Sequence, residues 1–329
     1  MNSFKILFFL PLFIPDALAA QTVSTDSTRY KTVQYITSDF PPTRTLDIQF
    51  EDRGATNYQF KQDGAMYEKG ILRENAVVKV TANIPTWYNK HFILLTNLKY
   101  QCYHRSFDHI KTSNSIYTES FHSNKTDYHH FETALSLVHN THLFGKPLAC
   151  MANVSFDGSH KGYERAQASL MATMVLTRNH RTLTTLGLIY LTNMGGLFPV
   201  LPIFSYAHKP TNSSWIIDIA LPRHLYFRKN VLKNGRLSLG SLLDGERFYL
   251  YPNVASLPRK CYFVQNFIKT EAMYEHKLGK HIYLTGHGGC SFTFRSRLYN
   301  KKQINKDPVF TYTQHPSVYL NVGISYNLF

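Results

Sequence analysis

Two His-x-Ser pairs are the strongest candidates for catalytic chemistry in the sequence: His104-Arg105-Ser106 and His315-Pro316-Ser317. A nearby histidine can activate a serine hydroxyl as a nucleophile, which would suit a lipid hydrolase. In a chain with 16 histidines, however, roughly one such pair arises by chance. The sequence carries no Gly-x-Ser-x-Gly, P-loop or dinucleotide motif. We therefore predict that the protein is not an enzyme and has no catalytic residues, and keep hydrolysis at His104 and Ser106 as the least favoured alternative.

Cysteine and histidine give no pattern typical of a metal site. The spacing of the cysteines matches no zinc motif, and they are too far apart to suggest disulfides. Three of them fall on the apolar face of their segments, where a free thiol behaves as a small apolar group. We predict free thiols, no metal site and no cofactor. The cysteines are Cys102, Cys150, Cys261 and Cys290, and the densest histidine group is His122, His129, His130 and His139.

Charged residues on the polar faces of alternating segments are the remaining candidates for function. If those faces line the lumen of a barrel, these side chains would contact a permeating solute. Arg295 and Arg297 share the predicted polar face of their segment with His287. Two guanidiniums about 7 Å apart on one face of a strand would favour anions in a pore. The predicted lumen-lining residues are Lys79, Lys99, Glu132, Asp218, Arg236, His287, Arg295 and Arg297.

The segment Ser317 to Phe329 best indicates which elements would position these side chains. Apolar and polar residues alternate along it, which is typical of a β-strand with two different faces. Its length suits a tilted membrane crossing of roughly 9–11 residues. The segment resembles the terminal strand of an outer-membrane barrel, although Phe329 is out of phase with the apolar face. That resemblance implies an assembly signal formed by Val322, Ile324, Tyr326 and Phe329.

Similar alternation recurs along the chain and predicts an all-β fold. The pattern indicates a closed antiparallel transmembrane β-barrel of about 12–14 strands, with both termini periplasmic. Long polar stretches, among them Asp52–Asn75, Asp157–Arg165 and Asp244–Lys260, follow odd-numbered strands, and short turns follow most even-numbered ones. Such a difference is expected between the two ends of a membrane barrel. A soluble β-sandwich is the alternative.

The beginning of the chain predicts export. Residues 1–20 have the pattern of a signal peptide, with Lys5, an apolar run and the cleavage site at Ala19 and Ala20. We expect residues 21–43 to be a periplasmic lead-in and residues 44–329 to be the barrel domain. The predicted localisation is the cell outer membrane.

Composition and charge narrow the classes of partner. The chain is 43% hydrophobic and 14% aromatic, with a formal net charge of +15. The aromatic content suits the interfacial girdles of a barrel. Lys and Arg are scattered along the chain, so a nucleic-acid-binding arm is not indicated. We expect contacts with outer-membrane lipid, the barrel-assembly machinery and an unidentified small solute, and none with nucleic acid.

Several segments resemble a known family. The stretches FPVLPIFSYAHK, WIIDIALPRHLYFR, GRLSLGSLLDGERFYLY and GISYNLF are similar to an uncharacterised outer-membrane β-barrel family of Bacteroidetes-type bacteria. The resemblance implies fold and location, and it supplies no substrate or catalytic residue. The favoured function is a channel or transporter for small solutes, and the first alternative is a surface adhesion or interaction barrel.

Overall fold

The computed structural model describes residues 40–41, 43–112, 125–192, 199–252, 257–303 and 307–328. The predicted signal peptide, nearly all of the predicted lead-in and Phe329 lie outside these residues. The described part is all-β, with one short 3-10 turn at Lys301–Gln303. Its strands are β1 Leu46–Arg53, β2 Thr56–Gln62, β3 Ala65–Tyr88, β4 Phe92–Thr112, β5 Lys125–Leu143, β6 Lys146–Ser159, β7 Gly162–Arg178, β8 Thr182–Leu191, β9 Val200–His208, β10 Trp215–Leu221, β11 His224–Val231, β12 Gly235–Leu250, β13 Cys261–Leu278, β14 Ile282–Asn300, β15 Phe310–Gln314 and β16 Ser317–Tyr326.

The strands form a closed antiparallel barrel. Neighbours in sequence pair with one another, and β1 pairs with both β3 and β16 to close the sheet. Two strands of the barrel each consist of two segments: β1 with β2, and β15 with β16. The segments β2 and β15 pair with each other. Pro316 interrupts the second of these strands because it lacks a backbone N–H. The sixteen segments therefore make fourteen barrel strands, and the predicted closed antiparallel β-barrel is confirmed.

The apolar faces point outward. On β16 the exposed side chains are Val318, Leu320, Val322, Ile324 and Tyr326, whereas the residues between them are mostly buried. The same outward pattern continues around the barrel. Because this ring of apolar side chains lies on the outside of a closed barrel, the barrel has the surface of a transmembrane protein. We call this ring the apolar belt; it also includes Leu46, Ile48, Phe50, Val78, Leu98, Phe131, Leu135, Val154, Leu170, Leu188, Val200, Phe227, Leu239, Leu284 and Phe292.

The two ends of the barrel differ. At one end, called here the terminal end, short turns join β3–β4, β5–β6, β7–β8 and β13–β14, and both ends of the barrel domain lie there. Asn89 and Asn179 shape two of these turns by accepting backbone hydrogen bonds. Gly145 and Gly279 have positive φ angles of 71° and 74°, which glycine adopts without strain. The opposite end is called the far end.

The far end is built mainly from strands rather than from the long loops that the polar stretches suggested. Residues expected as loops in Asp52–Asn75 and Asp157–Arg165 continue as strands to the two-residue turns 63–64 and 160–161. The long polar runs are strand extensions that rise beyond the apolar belt, so their outer faces are mostly polar. The wall is uneven, because β8–β11 span 7–10 residues whereas β3 spans 24.

The far ends of β12 and β13 bend across the barrel. Phe248 of β12 stacks on Tyr128 of β5 with ring centroids 4.5 Å apart. Tyr249 donates a hydrogen bond of 2.5 Å to Asp157 of β6. Six strands, β6 to β11, separate β12 from β5 around the barrel, so these contacts cross the lumen. We call residues 244–250 with 261–267 the crossing hairpin.

Candidate functional site

A buried network of charged side chains lies inside the barrel beside the crossing hairpin. Its centre is Glu51 of β1, whose carboxylate lies 2.8 and 2.9 Å from Lys269 Nζ and 3.2 Å from Lys79 Nζ. Lys269 also contacts Asp244 Oδ2 at 2.7 Å. The same strand alternation places each of these side chains on the inner face. The network therefore ties β1 and β3 to β12 and β13.

Arginines extend this network toward the far end. Arg53 Nη2 lies 2.5 Å from Glu51 and 2.9 Å from Glu246, and its side chain is fully buried. Arg105 of β4 contacts the other oxygen of Glu246 at 2.5 Å. Buried charges of this kind are tolerated only when they are paired. Glu246 thus joins the crossing hairpin to two wall strands. The network residues are Glu51, Arg53, Lys79, Arg105, Asp244, Glu246 and Lys269.

A second carboxylate is held mainly by neutral donors. Tyr226 Oη donates to Glu271 Oε1 at 2.6 Å, and Tyr319 Oη donates to Glu271 Oε2. His287 Nδ1 lies 3.2 Å from Glu271 Oε1. These contacts place a hydrogen-bonded anion on the wall formed by β11, β13, β14 and β16.

Arginines surround a third carboxylate near the terminal end. Arg236 contacts Glu275 at 2.6 Å and Arg44 contacts it at 3.0 Å. Arg44 also lies over the ring of Tyr283, and Arg236 lies over that of Phe40. Phe40 and Arg44 precede β1, so the chain entering the barrel packs against interior side chains at this end.

Apolar packing closes the interior at the far end. Around Phe248, the rings of Tyr103 and Phe263 lie 5.1 and 4.8 Å away. Each aromatic pair contributes about 0.5–1.5 kcal/mol beyond the area it buries. The buried cluster comprises Tyr58, Phe60, Tyr67, Leu72, Val77, Tyr103, Phe107, Tyr128, Phe248, Leu250, Leu257, Cys261, Phe263, Leu298, Phe310 and Tyr312.

The start of β7 is tied to residues that flank the crossing hairpin. Glu164 accepts hydrogen bonds from Tyr251 and Lys260 at 2.8 and 3.1 Å, and Lys301 contacts its other oxygen at 2.5 Å. Burial alone would raise the pKa of Glu164, but the hydrogen bonds from Lys301, Tyr251 and Lys260 outweigh it and lower the pKa. Glu164 is therefore held as a carboxylate at neutral pH.

Six of the predicted lumen-lining residues lie on the inner face. Lys79, Arg236 and His287 belong to the three clusters above. Asp218 lies 2.7 Å from Arg228 and 3.4 Å from His224, and Lys99 lies opposite Glu132 across β4 and β5. The structure distributes these residues along the wall and does not gather them in one site.

The predicted inward placement of Arg295 and Arg297 is wrong. Thr293 faces inward, since it accepts a hydrogen bond from Gln265. A β-bulge at Phe294 then inserts one extra residue, and Leu298 enters the buried aromatic cluster. A one-residue shift exchanges the two faces of a strand. Arg295 and Arg297 therefore lie on the outer face.

His104 and Ser106 do not form a nucleophile–base pair. Both lie on the outer face of β4, but His104 Nδ1 contacts Asp127 at 2.6 Å and Nε2 contacts Glu74 at 3.2 Å. Both ring nitrogens are thus occupied by carboxylates, which leaves neither directed at Ser106. His315 and Ser317 flank the interruption between β15 and β16.

The four cysteines are free thiols, as the sequence predicts. Cys102, Cys150, Cys261 and Cys290 are all unpaired with one another. Among the described residues, no three His, Cys, Asp or Glu side chains are grouped to hold a metal ion. Within the same residues, no helix is long and apolar enough to cross a membrane.

Of the central network, only Lys79 is among the predicted lumen-lining residues. Arg53, Asp244 and Glu246 fall in stretches interpreted as loops, and Arg105 was considered only as part of a His-x-Ser pair. A signal was present: the inward phase of β13 continues through Phe267, Lys269, Glu271, Met273 and Glu275. Alternation that includes charged residues on the buried face is typical of a barrel interior.

Fold and surface together define the protein as a transmembrane β-barrel. The family model described as a domain of unknown function (DUF6268) matches residues 151–327. The match covers more than half of the chain, so the chain belongs to this family. The expected Bacteroidetes-type source stays a prediction. No curated protein matches the chain.

Solved structures of outer-membrane barrels resemble the chain weakly. A Pseudomonas aeruginosa FadL homologue is 7% identical with a TM-score of 0.39, covering 86% of this chain and 90% of its own. An outer membrane channel from Pseudomonas putida F1 is 9% identical with a TM-score of 0.39, covering 87% and 96%. A Salmonella typhi outer membrane phospholipase is 10% identical with a TM-score of 0.34, covering 90% and 97%. At such low scores, nothing about the function of this chain follows from the likeness.

Proposed function

We propose that the protein is an outer-membrane channel or transporter for small solutes, and that the crossing hairpin is its gate. The observation that carries this proposal is the contact of Phe248 and Tyr249 with the opposite wall. The charged side chains on the inner face of β1, β3, β12 and β13 support passage of polar solutes, whereas the hairpin blocks the lumen at the far end. Conduction therefore requires the hairpin to move away from β5 and β6.

The location in the outer membrane rests on three features. The apolar belt fits a bilayer, closure of the sheet satisfies the backbone without free edges, and residues 1–20 have the pattern of an export signal. We place the far end at the cell surface and the termini in the periplasm, with the barrel-assembly machinery and membrane lipid as partners.

Any ion selectivity comes from the inner network rather than from Arg295 and Arg297. Because those two arginines lie on the outer face, the anion preference expected from them does not apply. Inner basic residues such as Lys79, Arg236 and Lys269 contact carboxylates. Paired charges produce a weaker net field than isolated ones.

Conductance across a planar bilayer tests the gate. Replacing Phe248 and Tyr128 together with Ala removes the stack that holds the hairpin against β5. We expect the double variant to open more often than the wild type. The control replaces two outward rings, Phe131 and Phe292, with Ala and should gate as the wild type does. A double variant that is folded but never conducts would rule out the channel.

A surface-interaction barrel is the second candidate. The observation that favours it is the sealed far end, where the aromatic cluster fills the mouth. A barrel that remains silent after the stack is removed would support this function. The tall strands β3–β5 and β12–β14 would then be the interaction surface.

We propose that the barrel is not an enzyme. The pairing of both His104 ring nitrogens with Asp127 and Glu74 supports this view. Purified protein should release no fatty acid from phospholipid vesicles. Hydrolysis that disappears in Ser106→Ala would contradict the proposal.

A further inference from the structure

Basic side chains cover one side of the outer wall beyond the apolar belt. They lie on four segments at the far end, β14, β2, β3 and β4, and β15 lies between β14 and β2. Backbone pairing connects them: Arg297 lies opposite Thr311, which lies opposite Lys61, and Lys69 lies opposite Lys111. We call this surface the outer basic patch; its residues are Arg295, Arg297, Lys61, Lys69 and Lys111.

The outward direction of the patch follows from the residues between its members. Phe310 and Tyr312 belong to the buried aromatic cluster, so Thr311 and its partners Arg297 and Lys61 face outward. Glu68 is fully buried and accepts a hydrogen bond from Tyr58 inside the barrel. Its neighbour Lys69 is exposed, as is Lys111.

The patch carries an electrostatic cost that an anionic ligand would offset. Lys69 and Lys111 are directly opposite across β3 and β4. Like charges in that position destabilise a sheet. The outward carboxylate of Asp108 lies nearby, but it contacts Arg73 at 2.6 Å. The arrangement therefore favours binding of negative charge.

The height of the patch restricts what the ligand can be. Arg295 is within about 10 Å of Phe292, an exposed ring of the apolar belt on the same strand. Lys69 is about 30 Å along β3 from Val78, or roughly 23 Å along the barrel axis at a tilt of about 40°. The headgroup layer of a phospholipid is only about 5–8 Å thick. A ligand that contacts both Arg295 and Lys69 needs several anionic groups on a tall headgroup above its acyl chains.

We propose that the outer basic patch binds the phosphorylated saccharide headgroup of an anionic glycolipid whose acyl chains lie on the apolar belt. The proposal rests on the membrane orientation given above, with the far end at the cell surface. Arg295 and Arg297 would contact phosphates near the acyl chains, and Lys61, Lys69 and Lys111 would contact phosphates farther out.

Binding of phosphorylated lipopolysaccharide to the purified full-length chain tests the proposal. The triple variant Arg297→Gln, Lys69→Gln, Lys111→Gln should bind at least about tenfold more weakly than the wild type. The control loses the same charge at exposed turns of the terminal end, through Lys90→Gln, Lys233→Gln and Lys280→Gln, and should bind within about twofold of the wild type. Heat-modifiable migration in gels verifies folding. If the triple variant does not fold, the single variant Lys69→Gln should still bind about threefold more weakly.

Three results would overturn the proposal. An equal loss of binding in the control variant would show that the net charge of the protein alone attracts lipopolysaccharide. Equal binding of dephosphorylated lipopolysaccharide would remove the phosphates as the recognised groups. Equal competition by phosphatidylglycerol would show that a short headgroup suffices. Conductance measured in neutral phosphatidylcholine requires no glycolipid, so failure here leaves the channel test unaffected.

Discussion

Glu51 lies at the centre of the buried network of charged side chains. Its carboxylate contacts Arg53, Lys79 and Lys269, and its side chain is 1% exposed. Removing one partner from a buried charge network leaves the others uncompensated in a medium that solvates them poorly. The cost of such a change therefore comes mainly from the charges that remain.

We predict that Glu51→Gln lowers the free energy of unfolding by about 3–5 kcal/mol. Urea titration of the protein folded in phospholipid vesicles measures this quantity. Asp52→Asn is the matched control, because Asp52 is adjacent in sequence but exposed on the outer face. The control should stay within about 0.5 kcal/mol of the wild type. Equal effects of the two variants would show that the network does not stabilise the barrel.

At the level of single elements, the bulge in β14 determines which surface its arginines occupy. Before the bulge, Phe292 faces outward and Thr293 inward; after it, Ser296 is buried and Arg297 faces outward. One inserted residue thus moves two positive charges from the lumen to the outer wall. The outer basic patch depends on this single irregularity.

We predict that a cysteine at position 297 is accessible from outside the barrel and that one at position 296 is not. In a background with all four natural cysteines replaced, Arg297→Cys should react with a bulky maleimide at least about tenfold faster than Ser296→Cys. The reason is that a large reagent reaches the outer wall but not the packed interior. Faster reaction of Ser296→Cys would mean that the bulge is absent.

Over the whole molecule, different contacts hold the interior at the two ends of the barrel. The crossing hairpin contacts the opposite wall at the far end, and Phe40 and Arg44 pack inside near the terminal end. Both sets of contacts join parts of the chain that are distant in sequence. The gate can therefore be tested by linking its two sides covalently.

We predict that Tyr128→Cys with Phe248→Cys, in the cysteine-free background, makes a channel controlled by oxidation. Reduced protein should conduct, because the aromatic stack is lost. A thiol cross-link should hold the hairpin on β5 and abolish conductance, and its reduction should restore conductance. Leu135→Cys with Val154→Cys is the control, since these residues are directly opposite on the outer face. Cross-linking the control pair should leave conductance unchanged.

The sequence by itself determined the membrane-spanning part of the fold. Alternation along segments such as β16 depends only on neighbouring residues, because side chains of a strand point to opposite faces. That local rule was enough to predict a barrel of about 12–14 strands, the outward apolar faces and the inward Lys79, Arg236 and His287. It also led to the wrong direction for Arg295 and Arg297, since a bulge depends on the partner strand.

Tertiary structure decided what fills the barrel. The contacts of Glu246 with Arg53 and Arg105 join residues about 140 or more positions apart, and no local pattern encodes such a pairing. The outer faces of the far-end strands are mostly polar because they rise beyond the lipid, so their sequences resembled loops. Only the tertiary structure shows that β12 and β13 cross to the opposite wall. The sequence alone therefore does not tell whether the inward charges line an open lumen or a blocked one.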